Sequence, residues 1–521
     1  MDIKIIPKKL KGRLDALPSK SHAHRVLIAQ KLARMQSAAG TAAANAGSSP
    51  CQVNMNDGHH CHAADCVHTE AASADNAHGS EIPTFSKDIE ATKSCLAQLD
   101  CASPRLNCIE SGSTMRFMLP VVMALRDEAV FIGTGKLPSR PISPLKEEME
   151  RNGCTFSPGT GISANSRSCC ETDMHTVPGS SGTPAADTAD IPDGFSEICT
   201  IRGRLQPGTY RLAGNVSSQF ITGLLFALPL LDGDSTLELT TSLESAGYVD
   251  LTLDVLRDFG IMIDERRSPE GFNIYVINGS QRYTEPAAVT VQGDWSNAAF
   301  WLACGALGGD VTLDGVDLTS SQRDKEFADI LMQMGAHLEV STGGASADHE
   351  VSKTPDTVLC SASPAATGYT SAAGTSAAGG HSSIRCSGDR LCAVDIDAAQ
   401  IPDLVPVLAT VMALADGASE ITHAERLRIK ESDRIFTVHD FLSKLGADIT
   451  DEGSGLSVRG KRTLPGGEVC GHNDHRIVMA AAVASCGCTG PVIIRGAEAV
   501  NKSYPDFFRD FAALGGEVYE L

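Results

Sequence analysis

Eight cationic side chains stand in six short polar motifs, each with the character of a helix opening: Lys20, Arg25, Arg116, Arg140, Lys430, Arg434, Arg476 and Lys502. They sit in a 521-residue chain with 43 Lys+Arg against 64 Asp+Glu and a formal charge of −21. A nucleic-acid binder needs a broad basic face, which this balance excludes. A focused cationic set in an acidic chain instead suits a pocket for small, multiply charged anions such as phosphates and carboxylates.

The motifs differ in what they could do. Leu17-Pro18-Ser19-Lys20-Ser21-His22-Ala23-His24-Arg25 precedes the apolar run 26–33. Ser21 reads as the N-cap, which sets Lys20 beside free backbone N–H groups at a positive helix end, with Arg25 four residues further along the same face. The stretch 110–116 opens another apolar run. There Gly112 lets a ligand approach the backbone and Arg116 follows one turn later. Arg140 lies in a loop ahead of a further helix. Ser217, Ser218 and Gln219 offer neutral donors before a helix over 221–231, suited to a polyol or a phosphate ester. Toward the C-terminus, Ile401-Pro402-Asp403 sets a carboxylate at a helix start. Five charged side chains occupy the seven positions 428–434, and Asn473-Asp474-His475-Arg476 runs into the apolar 477–484. Charge runs are ordinarily solvated faces, but these abut apolar helices, as the wall of a cleft would. Taken singly, each motif also fits an ordinary surface loop or helix start.

The elements that must position them recur. An amphipathic helix stopped by glycine and followed by a strand is read at 145–153, 253–260, 327–335, 438–446 and 508–515, glycine being the usual left-handed stop. A weaker sixth copy, 89–99, has Asp100 in place of the glycine. Three segments poor in large apolar residues, about 36–83, 157–195 and 341–385, read as surface insertions. With these removed, the copies fall about 60–75 residues apart, which fits six α/β units, three per domain; an ordinary α/β protein with glycine-stopped helices is the alternative. The N-terminal Met1–Pro7 reads as a short strand rather than a signal or transit peptide, and the longest apolar runs fall short of the roughly 20 residues a spanning helix needs. The expected location is the bacterial cytoplasm. The 17 cysteines are odd in number and scattered, so they are expected to be mostly reduced thiols.

These residues resemble one family, the enolpyruvyl transferases, and within it the EPSP synthases. The similarity is carried, in order, by Ser19-Lys20-Ser21 with Arg25, Ser111-Gly112-Ser113-Thr114-Met115-Arg116, Arg140-Pro141-Ile142, Val216-Ser217-Ser218-Gln219-Phe220, Gly293-Asp294, Ile401-Pro402-Asp403, Lys430-Glu431-Ser432-Asp433-Arg434, Asp474-His475-Arg476 and Lys502-Ser503-Tyr504-Pro505-Asp506. The resemblance implies an α/β fold of two domains, each of three βαβαββ units around a pseudo-threefold axis (an inside-out α/β barrel), joined by two chain crossings. The first domain is then 1–19 plus 293–521, and the second 20–292.

The implied reaction joins phosphoenolpyruvate to the 5-hydroxyl of shikimate 3-phosphate and releases phosphate, with no metal or organic cofactor. By position, Lys20, Ser21, Arg25, Ser217, Ser218, Gln219, Ser245, Tyr248, Asp403 and Lys430 are expected at shikimate 3-phosphate. Lys20, Gly112, Arg140, Gln219, Arg434, Arg476 and Lys502 are expected at phosphoenolpyruvate, with Arg116 bordering that site. Asp403 would orient and deprotonate the 5-hydroxyl, Glu431 would handle the methylene or methyl proton, and Lys20 or Lys502 would protonate the leaving or bridging oxygen. His475 is expected to orient by hydrogen bonding. Glu110 and Arg426 stand where bacterial relatives often carry Asn. Small-molecule partners alone and a monomer are implied, as is inhibition by glyphosate beside Gly112.

The nearest rival transfers enolpyruvyl to UDP-N-acetylglucosamine, but it wants Asn after the first Lys and usually Cys in the loop that is here 133–141. RNA 3′-phosphate cyclase would need a nucleotide-linked His and a more basic surface. A non-catalytic shikimate-binding relative would not need the acid–base set of Lys20, Asp403, Glu431 and Lys502. The tract Cys51, His59, His60, Cys61, His62, Cys66 and His68 has the density of a zinc site, but its spacing matches no standard finger, and no metal is expected.

Overall fold

A computed structural model describes residues 1–46, 82, 85–159, 194–342 and 382–521. Among these, twelve α-helices alternate with strands: α1 (Lys20–Ala46), α2 (Lys87–Gln98), α3 (Gly112–Leu125), α4 (Leu145–Arg151), α5 (Ser218–Ala227), α6 (Ala246–Asp258), α7 (Trp295–Ala306), α8 (Glu326–Gln333), α9 (Val405–Met412), α10 (Arg434–Lys444), α11 (His475–Ala484) and α12 (Phe507–Ala513).

The glycine stops are the clearest local signal. Gly153, Gly260, Gly335, Gly446 and Gly515 follow α4, α6, α8, α10 and α12 with φ of +98°, +80°, +100°, +93° and +91°. L side chains rarely adopt that region, so each helix ends where the sequence places its glycine. The sixth copy, α2, ends without one: Leu99 stays right-handed at φ −63°.

Among the described residues are five four-stranded sheets, and all share one plan. Arg105–Asn107 runs parallel to Glu128–Gly133 across α3; after α4, Cys154–Pro158 and Ser196–Gly203 add antiparallel, the last strand inserted beside the second. The same order recurs in the sheets built on Thr209–Leu212, Ile396–Asp397, Lys11–Asp15 and Gly467–Cys470. In the last of these the N-terminal Asp2–Ile6 fills the inner antiparallel place, pairing with both Val492–Arg495 and Glu517–Glu520. The chain's beginning thus completes its final sheet.

The apolar side chains form two separate cores. One draws on Ile3, Ile5, Leu10 and residues from Trp295 to Leu514; the other spans Ala23 to Tyr283. The helix that leads into the second strand of each sheet is buried almost all round; in α11 all ten residues are buried. The chain passes between the cores twice, at a bridge between Pro18 and Gly293. There Ser19 N donates to Gln292 O at 2.7 Å and Asp294 N to Leu17 O at 2.8 Å.

The structure moves the limits of all three insertions. Helix α1 continues through Ala46, and at Gln36 the side chain is already tied in: its Oε1 accepts from Tyr283 N at 2.7 Å. Ile82 is 5% exposed within the second core. Ser157 and Pro158 pair with Thr200 and Cys199, and Ser341 pairs with Ser383, so the margins of the other two are strand. These two segments connect antiparallel neighbours, a hairpin end where added length disturbs the ladder least. The Cys/His tract 51–68 lies outside the described residues.

Candidate active site

The cleft between the two cores is lined mainly by the first residues of helices. Lys20 opens α1, Gly112 and Ser113 open α3, Ser218 and Gln219 open α5, Arg434 opens α10, and His475 and Arg476 open α11. Each start brings backbone N–H groups and the positive end of a helix dipole to one place, a setting for anions. The capping residues explain the starts. Ser111 accepts from Thr114 N, Ser217 from Gln219 N, Asp433 from Phe436 N and Asp474 from Arg476 N. For α1 the expected cap shifts by two residues. Ser19, not Ser21, accepts from His22 N at 3.3 Å, and Asp294 from the other core accepts from Lys20 N at 3.0 Å.

Asp403 is the most heavily engaged carboxylate. One oxygen lies 2.7 Å from Arg434 and 3.5 Å from Lys430; the other accepts from the Tyr248 hydroxyl at 3.0 Å and lies 3.5 Å from Arg476. Burial alone would raise its pKa, but Arg476, Lys430 and Arg434 outweigh burial and hold it well below the usual carboxylate range. Tyr248 belongs to the opposite core, so this hydrogen bond crosses the cleft. Burial pushes the Tyr248 phenol well up, so it remains a donor.

Arg434 is 2% exposed and held by three carboxylates: Asp474 at 2.8 Å, Asp403 at 2.7 Å and Glu431 at 2.9 Å. Glu431 also lies 3.1 Å from His475 Nδ1, off the line of a well-formed hydrogen bond. Burial opposes its charge, but His475, Arg434 and Lys20 keep it ionised. Burial lowers Lys430 to about 8 despite Asp403. Lys20 pairs with Asp88 at 2.8 Å, and although burial would lower it, Asp88 and Glu431 leave it raised.

The remaining arginines divide. Arg25 donates to Thr252, Ser21 O, Thr222 and Tyr248 O, and its plane lies over Phe117. Arg116 donates to Gln219 at 2.8 Å and Pro141 O at 3.0 Å, and burial lowers it to about 9. Arg140 packs against Gly112: a Cβ added there would lie 2.4 Å from Arg140 Nη1. The room that the missing side chain leaves is therefore taken by a guanidinium.

Of the residues expected at the site, fifteen line the cleft. Lys502 stands apart, at the mouth, 2.6 Å from Glu110 and donating to Asn473 O at 2.7 Å. Sequence reasoning missed Asp88, whose signal was an acidic residue in the first turn of a Ser-capped helix, and His24, buried with Nδ1 2.6 Å from Thr92 Oγ1. It also left out Arg426, which reaches across to Glu244 at 2.5 Å and Ser245 at 3.1 Å. The charge run at 428–434 splits: Arg428 turns outward to Asp433 and Asp451, while Lys430, Glu431 and Arg434 face the cleft. Glu431, Asp474 and His475 bring ligand atoms within 4.8 Å of one another, but Arg434 already compensates their charge.

Residues 193–511 match EPSP synthase (3-phosphoshikimate 1-carboxyvinyltransferase) as a family. The 3-phosphoshikimate 1-carboxyvinyltransferase of Clostridium novyi (strain NT) is 35% identical over 526 residues, covering 100% of this chain and 98% of that protein. That of Clostridium acetobutylicum is 36% identical over 415 residues, covering 80% and 78%. Among solved structures, EPSP synthase from Acinetobacter baumannii aligns with a TM-score of 0.64 at 21% identity and covers both chains fully. The enolpyruvyl transferase NikO from Streptomyces tendae aligns at 0.58 and 17% identity, covering 99% and 98%. These structures carry the fold alone.

Proposed function

The chain belongs to the EPSP synthase family, and we propose that its cleft performs the reaction with the side chains in the roles given below. The reaction transfers the enolpyruvyl group of phosphoenolpyruvate to the 5-hydroxyl of shikimate 3-phosphate and releases phosphate, a step of the shikimate pathway toward chorismate and the aromatic amino acids. The observation that carries the assignment of roles is Asp403, an ionised carboxylate held by Lys430, Arg434 and Arg476 on one side of the cleft and by Tyr248 from the other.

Both substrates are multiply charged anions, so bringing them together in a water-poor site requires fixed positive charge. Lys20, Arg140, Gln219, Arg434, Arg476 and Lys502 serve phosphoenolpyruvate. Lys20, Ser21, Arg25, Ser217, Ser218, Gln219, Ser245, Tyr248 and Lys430 serve shikimate 3-phosphate. Asp403 is a weak base in the free site because three cations hold it. As substrate phosphate and carboxylate groups claim Lys430 and Arg476, that hold relaxes and its proton affinity rises. It then takes the 5-hydroxyl proton as the oxygen adds to C2 of phosphoenolpyruvate, and the methylene gains a proton drawn from the Lys20 ammonium through Glu431, giving a tetrahedral ketal phosphate. Glu431, ionised again between Arg434 and His475, removes the methyl proton as the C–O bond to phosphate breaks, and Lys502 protonates the departing oxygen.

Phosphate release with shikimate 3-phosphate and phosphoenolpyruvate tests the reading. Turnover with this pair is expected; activity on UDP-N-acetylglucosamine instead would overturn it. A second expectation concerns the loop. Gly112→Ala drives a methyl into the Arg140 guanidinium, so kcat/KM for phosphoenolpyruvate should fall roughly ten- to a hundredfold and glyphosate inhibition should weaken. An unchanged response to both would place the anion site away from Gly112.

The same reading covers the architecture. The two cores support domains 1–19 plus 293–521 and 20–292, each made of three βαβαββ units around a pseudo-threefold axis as an inside-out α/β barrel. We take the enzyme to be a monomer of the bacterial cytoplasm; among the described residues no helix is long and apolar enough to cross a membrane.

A further inference from the structure

Glu110 lies outside the cleft wall, yet it holds a residue assigned above to phosphoenolpyruvate. It directly precedes the Ser111 cap of α3, whose side chains belong to the second core. Its partners belong to the other body. Lys502 Nζ lies 2.6 Å from Glu110 Oε2 and donates to Asn473 O at 2.7 Å, while Asn473 Nδ2 donates to Glu110 Oε1 at 3.2 Å. The three residues close a ring between the two bodies, with Asn473 contributing both its main-chain carbonyl and its side-chain amide.

The surroundings are shaped for this ring. Gly135 has φ +60°, and a Cβ there would fall 1.7 Å from Glu110 Oε1, so any side chain would evict the carboxylate. His472 and Asn473 both have positive φ, +50° and +53°, a disfavoured conformation that carries the Asn473 carbonyl to the Lys502 ammonium. The Lys502 and Glu110 side chains are 13% and 22% exposed, so solvent screens the pair only partly.

A lysine cannot serve a carboxylate and an incoming anion equally well. We infer that Glu110 sets the affinity for phosphoenolpyruvate by competing with it for Lys502, holding the ammonium at the mouth until the substrate takes the carboxylate's place. Glu110 is thus a positioning residue that acts on one substrate of the two. The inference rests on the assignment of Lys502 to phosphoenolpyruvate.

Steady-state kinetics of Glu110→Gln, Lys502→Met and the double variant test it. Gln keeps the shape and a hydrogen-bonding group for Asn473 but removes the charge. KM for phosphoenolpyruvate should fall about fivefold in Glu110→Gln, with smaller changes in kcat and in KM for shikimate 3-phosphate. Glu110→Asp, which keeps the charge, should lie closer to the parent. Lys502→Met should raise KM for phosphoenolpyruvate about tenfold, and adding Glu110→Gln to it should recover little. If Lys502→Met leaves that KM unchanged, the assignment of Lys502 fails. If Lys502→Met raises it but Glu110→Gln raises it too, or shifts both substrates alike, Glu110 only clamps the two bodies together and the inference fails.

Discussion

Asp403→Asn should lower kcat by about 10²–10⁴-fold while leaving both substrates bound. The amide matches the carboxylate in shape, so Tyr248 and Arg476 keep a partner, but it cannot accept the 5-hydroxyl proton. Binding should hold or tighten. Asp403 places a negative charge among Lys430, Arg434 and Arg476, and its neutralisation frees these cations for substrate phosphate and carboxylate. Phosphate release measures the first effect and titration calorimetry with shikimate 3-phosphate the second. A kcat within about tenfold of the parent would remove Asp403 from the role of base.

The largest effect on stability is expected at Arg434. Arg434→Met leaves Asp403, Glu431 and Asp474 without the cation they share, and Asp474 is fully buried. Removal of one partner of a buried ionic cluster costs about 3–5 kcal/mol, because the remaining charge stays desolvated. The pH dependence gives the cause away. In the parent these three carboxylates are held below their unfolded pKa values, so their contribution is complete above that range and is lost as pH falls through the lower folded values. In the variant Asp403 keeps Lys430 and Arg476 and Glu431 keeps Lys20, but Asp474 loses its chief cation, so burial raises its folded value and its protonation on acidification favours the fold. The deficit should be greatest near pH 7 and shrink toward pH 5. Denaturant midpoints at both pH values measure it, and a deficit independent of pH would assign the loss to packing instead.

How much was legible varied with the range of the interaction. The five glycine stops were readable because a left-handed C′ position is a local demand that only glycine meets at little cost. The strand–helix–strand–helix order followed from them. The insertion limits were not readable: α1 runs ten residues past Gln36 through Ala- and Ser-rich sequence, where a composition typical of linkers still permits helix when its first turns are anchored. Ser21 has the local pattern of a cap, but local pattern cannot see Asp294, which arrives from 274 residues away to accept from Lys20 N. Arg426 and Glu110 looked like simple departures from the family, yet both reach across the cleft to the opposite body.

Which residues gather at one cleft was therefore legible in the sequence alone: fifteen of the sixteen expected residues line it, because motifs at helix starts carry their own geometry in three or four consecutive positions. The tertiary structure decided the charge state and the pairing. That Asp403 is ionised, that Arg434 ties Asp403 to Asp474, that Arg140 fills the space at Gly112 and that Lys502 pairs with Glu110 all depend on groups tens to hundreds of residues apart. Electrostatic energy depends on distance and desolvation, and neither exists until the two bodies meet.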